Sequence, residues 1–449
     1  MASLKGKAEK VNRSLRYSIL DGAAFSAMLG LTQSYISPFA LALKATTAQI
    51  GLLTSIPSVV MALAQLAAPQ LVKRAGSRKA MILPAVLLHA LMWLPIFLVP
   101  YLMPGQKVWW LIVFVTLSTV AGAIANPAWG SMMADLVPER IRGRYFSARG
   151  RISGGVVLAF GFLGGGILQL VQPNVFVGFA ILFGGALVFR SISLYFLAKM
   201  YEPAAALPRS DQPGLLDLVK DIGSSNLGRF TLFVALMSFC TNISAPFFTV
   251  YMLRDLHFSY LSFVIVNSAG TLATILFLAY WGRRADRAGN IRIIRFACIF
   301  VPLVPIAWLI SKEVWFLVIV QTFAAFAWAG FDLANVNFLY DAAPPEERTK
   351  RIAVFNAMNG VAVCLGALTG GLLATRLPPL FGYSLLSLFA LSGLLRAVVA
   401  AFLLRGIKEV RHVPQIGVVK LLFERHRGPR TSTEYRLARS RFRRTGVHS

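Results

Sequence analysis

Charge is what this sequence has least of. Only 14% of its 449 residues are charged, and acids are scarcer than bases, 18 against 45. With 57% hydrophobic residues and a mean hydropathy of +0.66, the chain cannot cover itself with enough polar surface to be a water-soluble globule. Its three cysteines, Cys240, Cys298 and Cys364, all lie inside apolar runs, so no disulfide or metal framework is read. A G-x-x-x-x-G-K-[ST] phosphate cradle is missing, as is H-E-x-x-H, and no Ser/His pairing or carboxylate dyad falls in an apolar run. These absences argue against an ATP-driven pump and against a membrane enzyme, and they call for no cofactor and no metal.

What is present is a set of long uncharged runs, among them 22–43, 45–72, 80–106, 108–134, 152–189 and 230–253. Roughly 20 helical residues cross a bilayer core of about 30 Å. Counting 152–189 as two spans, with Gln172-Pro173-Asn174 as the turn, and adding weaker spans at 291–311 and 381–405, the chain holds twelve. The sequence also repeats itself. Pro38-Phe39 returns as Pro246-Phe247, Asp135…Pro138 as Asp341…Pro344, Gly161…Gly165-Gly166 as Gly366…Gly370-Gly371, and Arg190 as Arg396, at offsets of 205 to 208. The expected fold is an all-α polytopic membrane protein, twelve transmembrane helices in two pseudo-symmetric six-helix lobes. The expected layout is an N-terminal tail over 1–15, a first lobe over 16–205, a linker over 206–227 carrying Pro208 and Pro213, a second lobe over 228–405, and a basic tail over 406–449.

The net charge of +27 follows from topology rather than from nucleic acid. Lys and Arg number 38 in the two tails and the even-numbered connections, against 5 in the odd-numbered ones. That split predicts both termini in the cytoplasm, in a cell inner (plasma) membrane. The basic start runs straight into a full-length span, which reads as no cleavable signal peptide. The Arg-rich tail is expected to sit against anionic lipid, and the protein is expected to be a monomer in the lipid bilayer.

Between its second and third spans each half carries a related loop. The second copy reads Gly282-Arg283-Arg284-Ala285-Asp286-Arg287-Ala288-Gly289, and the first runs from Pro69 through Lys73 to Lys79. The second copy resembles the signature of the major facilitator superfamily, G-x-x-x-D-R/K-x-G-R-R/K; the first departs, with Lys73 at the acid's place and Pro69 at the glycine's. The loop Asp135…Pro138…Arg142-Gly143-Arg144 is similar to the family's D-x-x-P-x-x-x-R-G-R element, and Asp341…Pro344, Arg348 and Arg351 repeat it. The resemblance covers residues 15 to 405. It implies a bacterial-type twelve-helix secondary transporter of a small solute by alternating access, coupled to a proton or ion gradient. The alternatives are a receptor-like or scaffold member of the same fold, or a multidrug or metabolite exporter. Asp135, Arg142, Arg144, Asp286, Arg287, Asp341, Arg348 and Arg351 are the expected gating residues. An acid at a helix C-terminus opposes the dipole, so Asp135 and Asp341 are expected to pair with the arginines just beyond them. The glycine sets resemble the superfamily's antiporter motif but lack its proline.

The resemblance further implies that spans one, four, seven and ten line a central cavity. Polar residues at mid-membrane depth are costly unless used or paired. On that ground Gln33 and Tyr35, Asn126 and Trp129, Asn242, and Trp328, Asp332 and Asn335 are the expected solute-binding residues. Asp332, related to Asn126 by the 206-residue offset, is the expected coupling residue. Asp21, Arg190 and Arg396 read as structural, and His89 as packing.

Overall fold

Serine and threonine start the helices here, and proline interrupts them. Thr46 and Gln49 form a reciprocal capping box at the start of one helix, and Ser77, Ser225 and Ser259 each accept a backbone N–H one turn on. Gly76 takes the left-handed conformation, φ +70°, that ends the Thr46-capped helix. A computed structural model of the protein describes residues 2–103, 105–171, 174–203, 225–343 and 348–410.

The first half holds α1 (Ala2–Thr32), α2 (Ile36–Ala42), α3 (Thr47–Ala75), α4 (Arg78–Leu91), α5 (Trp93–Leu102), α6 (Lys107–Leu136), α7 (Glu139–Leu170) and α8 (Val175–Ala198). The second holds α9 (Asn226–Asn242), α10 (Phe247–Val250, continued by a π-turn to Asp255), α11 (Tyr260–Ala288), α12 (Asn290–Phe300), α13 (Leu303–Ala307), α14 (Val314–Ala342), α15 (Arg348–Leu373) and α16 (Ser384–Leu403). Among the described residues, ten helical segments are long and apolar enough to cross a membrane. That number is consistent with twelve passes when α1–α2 and α3 take the first and second places of the repeat. Among the described residues, the one β feature is the Leu380–Tyr383 bridge.

Two helix starts fall ahead of the expected lobe boundaries. The first helix starts at Ala2, so residues 2–15 are helical and continuous with the first pass. The second half starts at Asn226, capped by Ser225, slightly ahead of 228. The linker between 204 and 224 and the tail beyond Val410 lie outside the described residues.

Four passes are broken, in two symmetric pairs. The first breaks at 33–35 and the seventh at 243–246, ahead of Pro38 and at Pro246. The third breaks at Met92 and the ninth at 301–302, just before Pro95 and at Pro302. Proline has no N–H for the carbonyl four residues back, and its ring crowds that carbonyl, so the helix ladder is interrupted one turn upstream.

The core is lopsided. At the end of the molecule that carries the odd-numbered connections, one cluster joins both halves, running from Phe39, Phe179 and Phe183 to Phe247, Tyr251, Val264 and Phe389. At the opposite end the clusters divide: two belong wholly to the first half and one wholly to the second.

Candidate functional site

Where the halves meet, glycine sets the distance. A Cβ on Gly51 of α3 would lie 2.7 Å from the Ala367 carbonyl of α15, and one on Gly165 of α7 would lie 2.8 Å from Val264 of α11. Phe179 of α8 meets Tyr260 of α11 edge-on, ring centroids 6.0 Å apart. Arg254 donates to Thr47 Oγ1 across the same seam at 2.8 Å. All four contacts lie toward the end with the joined core.

Beneath this seam is a cavity of about 410 Å³, formed by both halves. From the broken first pass come Gln33, Ser34, Tyr35 and Ser37, and from the second half come Thr249, Asn267, Ser268 and Thr271, with Val157, Leu158 and Gly161 of α7 as an apolar wall. Its polar groups are hydroxyls and amides; among the described residues, no Lys, Arg, Asp, Glu or His lines it. Tyr35 is fully buried and donates its hydroxyl to the Gly161 carbonyl. Its ring lies against Gly164, where a Cβ would come within 2.8 Å. The first glycine set therefore seats Tyr35 and, through Gly161 and Gly30, lets α1 and α7 pack closely. The second set does the same for α15 against α9, since Cβ atoms at Gly366 and Gly370 would strike the Phe239 and Ile243 carbonyls.

The other expected cavity residues part company. Asn126 and Trp129 line a separate cavity of about 210 Å³ inside the first half, with Asp21, Phe25, Arg149 and Arg190. Asn242 donates to its own helix at Ser238 O, 2.9 Å away. Trp328 meets Phe331 edge-on, 5.3 Å between centroids, against the second half's core. Asn335 keeps a buried Oδ1 with no partner among the described residues. Asp332 is exposed, on the α14 face it shares with Trp328 and Asn335.

Two of the expected gating acids, Asp135 and Asp341, take described partners from their own halves. Asp135 accepts from Arg78 Nη1 at 2.6 Å, not from a described arginine beyond Pro138. The chain turns at Pro138 and leaves along α7, whereas α4 starts beside the end of α6, so the partner comes from α4. Asp341 accepts from Asn290 Nδ2 at 2.8 Å, the corresponding start of α12. Two glutamates that sequence reading missed complete the pattern. Glu202, past α8, accepts from the Arg78 N–H at 2.8 Å and from Ser77 Oγ at 2.8 Å. Glu409, past α16, accepts from the Ile291 N–H at 2.8 Å. Each half thus ends by capping the start of its own third pass. The side chains of Arg142, Arg144, Asp286, Arg287 and Arg348 lie outside the described residues, while Arg351 is partly buried on α15.

Arg396 is buried, 1% exposed, and donates to Ser392, Ser244, Val301 O and Thr241 O with no acid beside it among the described residues. It pins α16 to α9 and α12. Its twin Arg190 donates to Ser193 at 3.0 Å, and Ser193 in turn donates to Asp21 at 2.7 Å.

The family model for the Major Facilitator Superfamily matches residues 22–311 and 230–445, which together span most of the chain. The chain belongs to that superfamily. None of the curated proteins matches it. Among solved structures, the fold is similar to a nucleoside transporter, NupG, with a TM-score of 0.67 at 15% identity over 89% of this chain and 99% of that one. It is also similar to a D-xylose–proton symporter, TM-score 0.65 at 13% identity over 89% and 98%. A bacterial homologue of the human lysosomal transporter Spinster gives 0.61 at 16% over 89% and 95%.

Proposed function

We propose that the protein is a secondary transporter that moves a small, uncharged, hydroxyl-bearing solute by alternating access. The observation that carries this reading is the cavity between the halves, about 410 Å³, lined by hydroxyls and amides and, among the described residues, by no charged side chain. A charged solute buried there would lose hydration with no opposite charge in return, whereas a polyol, sugar or nucleoside would exchange water for matched hydrogen bonds. The names of two structural neighbours, a nucleoside transporter and a D-xylose–proton symporter, specify solutes of that kind.

Alternating access is supported by the lopsided core: halves joined at one end and separate at the other are one of the two postures that a rocking pair would visit. By the charge split, the separate end faces the cytoplasm and both termini lie there, in the plasma membrane. The posture described is then inward-facing. Because the cavity itself offers no carboxylate among the described residues, the acid proposed for coupling is Asp332, exposed on α14.

The test is uptake by proteoliposomes across a panel of neutral sugars, polyols and nucleosides beside organic anions and cations. A neutral hydroxylated solute should be carried, and Gln33→Ala or Asn267→Ala should raise its KM about fivefold each, the loss of roughly 1 kcal/mol of hydrogen bonding. Carriage of only charged solutes would overturn the reading.

A further inference from the structure

The second cavity, inside the first half, is chemically the opposite of the first. It holds about 210 Å³, some seven times the roughly 30 Å³ share of one liquid water. Three charged side chains meet there from three passes: Asp21 of α1, Arg149 of α7 and Arg190 of α8. Asp21 is 3% exposed and Arg190 6%.

The charges do not balance. Asp21 accepts from Ser193 at 2.7 Å and lies 3.7 Å from Arg149 Nη2. Arg190 reaches Asp21 only through Ser193. Among the described residues one carboxylate serves two guanidiniums, which leaves one positive charge in a buried setting where an uncompensated ion is costly. The donors are not used up either. Arg190 Nε and Trp129 Nε1 are buried with no partner among the described residues. The remaining wall is apolar: Phe25, Ile82, Val86, Ala125 and Leu197, with Trp129 under the Arg149 guanidinium at 4.5 Å. Exposed Asn126 marks the open side.

We propose that this cavity binds a small organic monocarboxylate, its carboxylate taken by Arg149 and Arg190 and its apolar body laid against Phe25, Ile82 and Trp129. A guanidinium is a planar fork that matches a carboxylate, and two of them around one acid leave room for a second. The aromatic and aliphatic wall selects an organic body over a hydrated inorganic ion. The site is separate from the cavity between the halves, so it stands whichever solute is carried there.

Binding of benzoate, benzamide and chloride to the purified full-length protein, by calorimetry, tests this. Benzoate should bind at least tenfold more tightly than benzamide, and chloride should not displace it. Arg149→Gln should weaken benzoate at least tenfold. Asp21→Asn removes the competing carboxylate and should tighten benzoate severalfold, a gain that loss of folding cannot imitate. Equal binding of benzoate and benzamide, displacement of benzoate by chloride, or an unchanged or weakened affinity in Asp21→Asn would each overturn the proposal.

Discussion

Arg254 of the second half donates a hydrogen bond to Thr47 of the first, 2.8 Å from Nη1 to Oγ1, while its Nε is held by Asp255 at the same distance. The bond crosses the seam at the end where the cores are joined, so the proposed alternation would break it when that end opens. A hydrogen bond from a partly exposed arginine contributes about 1 kcal/mol, enough to change a two-state ratio about fivefold. Thr47→Val should therefore raise the population open at that end. Spin labels at Gln106 and Arg376, one on each half's odd-numbered connections, should show a longer-distance component. An unaltered distance distribution would remove this bond from the gate.

Gly51 makes a more severe test of the same seam. A Cβ there would sit 2.7 Å from the Ala367 carbonyl, a backbone atom that cannot swing aside. Gly51→Val should disfavour the closed seam by about 1 to 3 kcal/mol, the usual effect of overpacking. Transport should fall while each half stays folded. A Gly51→Val protein with wild-type uptake would mean the seam has more slack than its geometry implies.

Glu202 and Glu409 cap the third and ninth passes from the far ends of their own halves. Replacing either with alanine should cost about 1 kcal/mol, as loss of a helix cap does, and lower the thermal midpoint by a few degrees. Because the two caps lie in different halves, the double variant should show the sum of the single effects. Strong non-additivity would show instead that the two caps are energetically coupled across the halves.

Asp332 is expected to couple transport to a gradient. Asp332→Asn should abolish accumulation against a gradient and leave downhill exchange measurable in the same proteoliposomes. Accumulation at the wild-type level would take Asp332 out of the mechanism.

Much of the architecture was legible because duplication writes the same constraint twice. Pro38 and Pro246 mark matching breaks, and Asp135 and Asp341 matching helix ends, without any knowledge of packing. Partners were less legible. The Arg78 that holds Asp135 comes from α4, far away in sequence, because which helix starts beside which end is a tertiary fact. A usable signal existed, since Glu202 and Glu409 repeat at an offset of 207. Depth in the membrane singled out Asn126 and Trp129 for the central cavity, whereas they line the one inside the first half, because depth does not say which side of a helix faces which cavity. Asn267 and Thr271 were passed over on an eighth span not expected to line the cavity, although their four-residue spacing forms a polar stripe on an apolar helix.

The joined core has a thermal consequence. To open the seam, Phe179 must leave Tyr260, and the apolar surface around them must meet water. Hydration of apolar surface raises heat capacity, so the equilibrium between the two postures should curve with temperature rather than follow a straight van't Hoff line. The attraction that holds the seam weakens on cooling. A cold membrane should therefore find this protein gaping at the end that it keeps shut when warm.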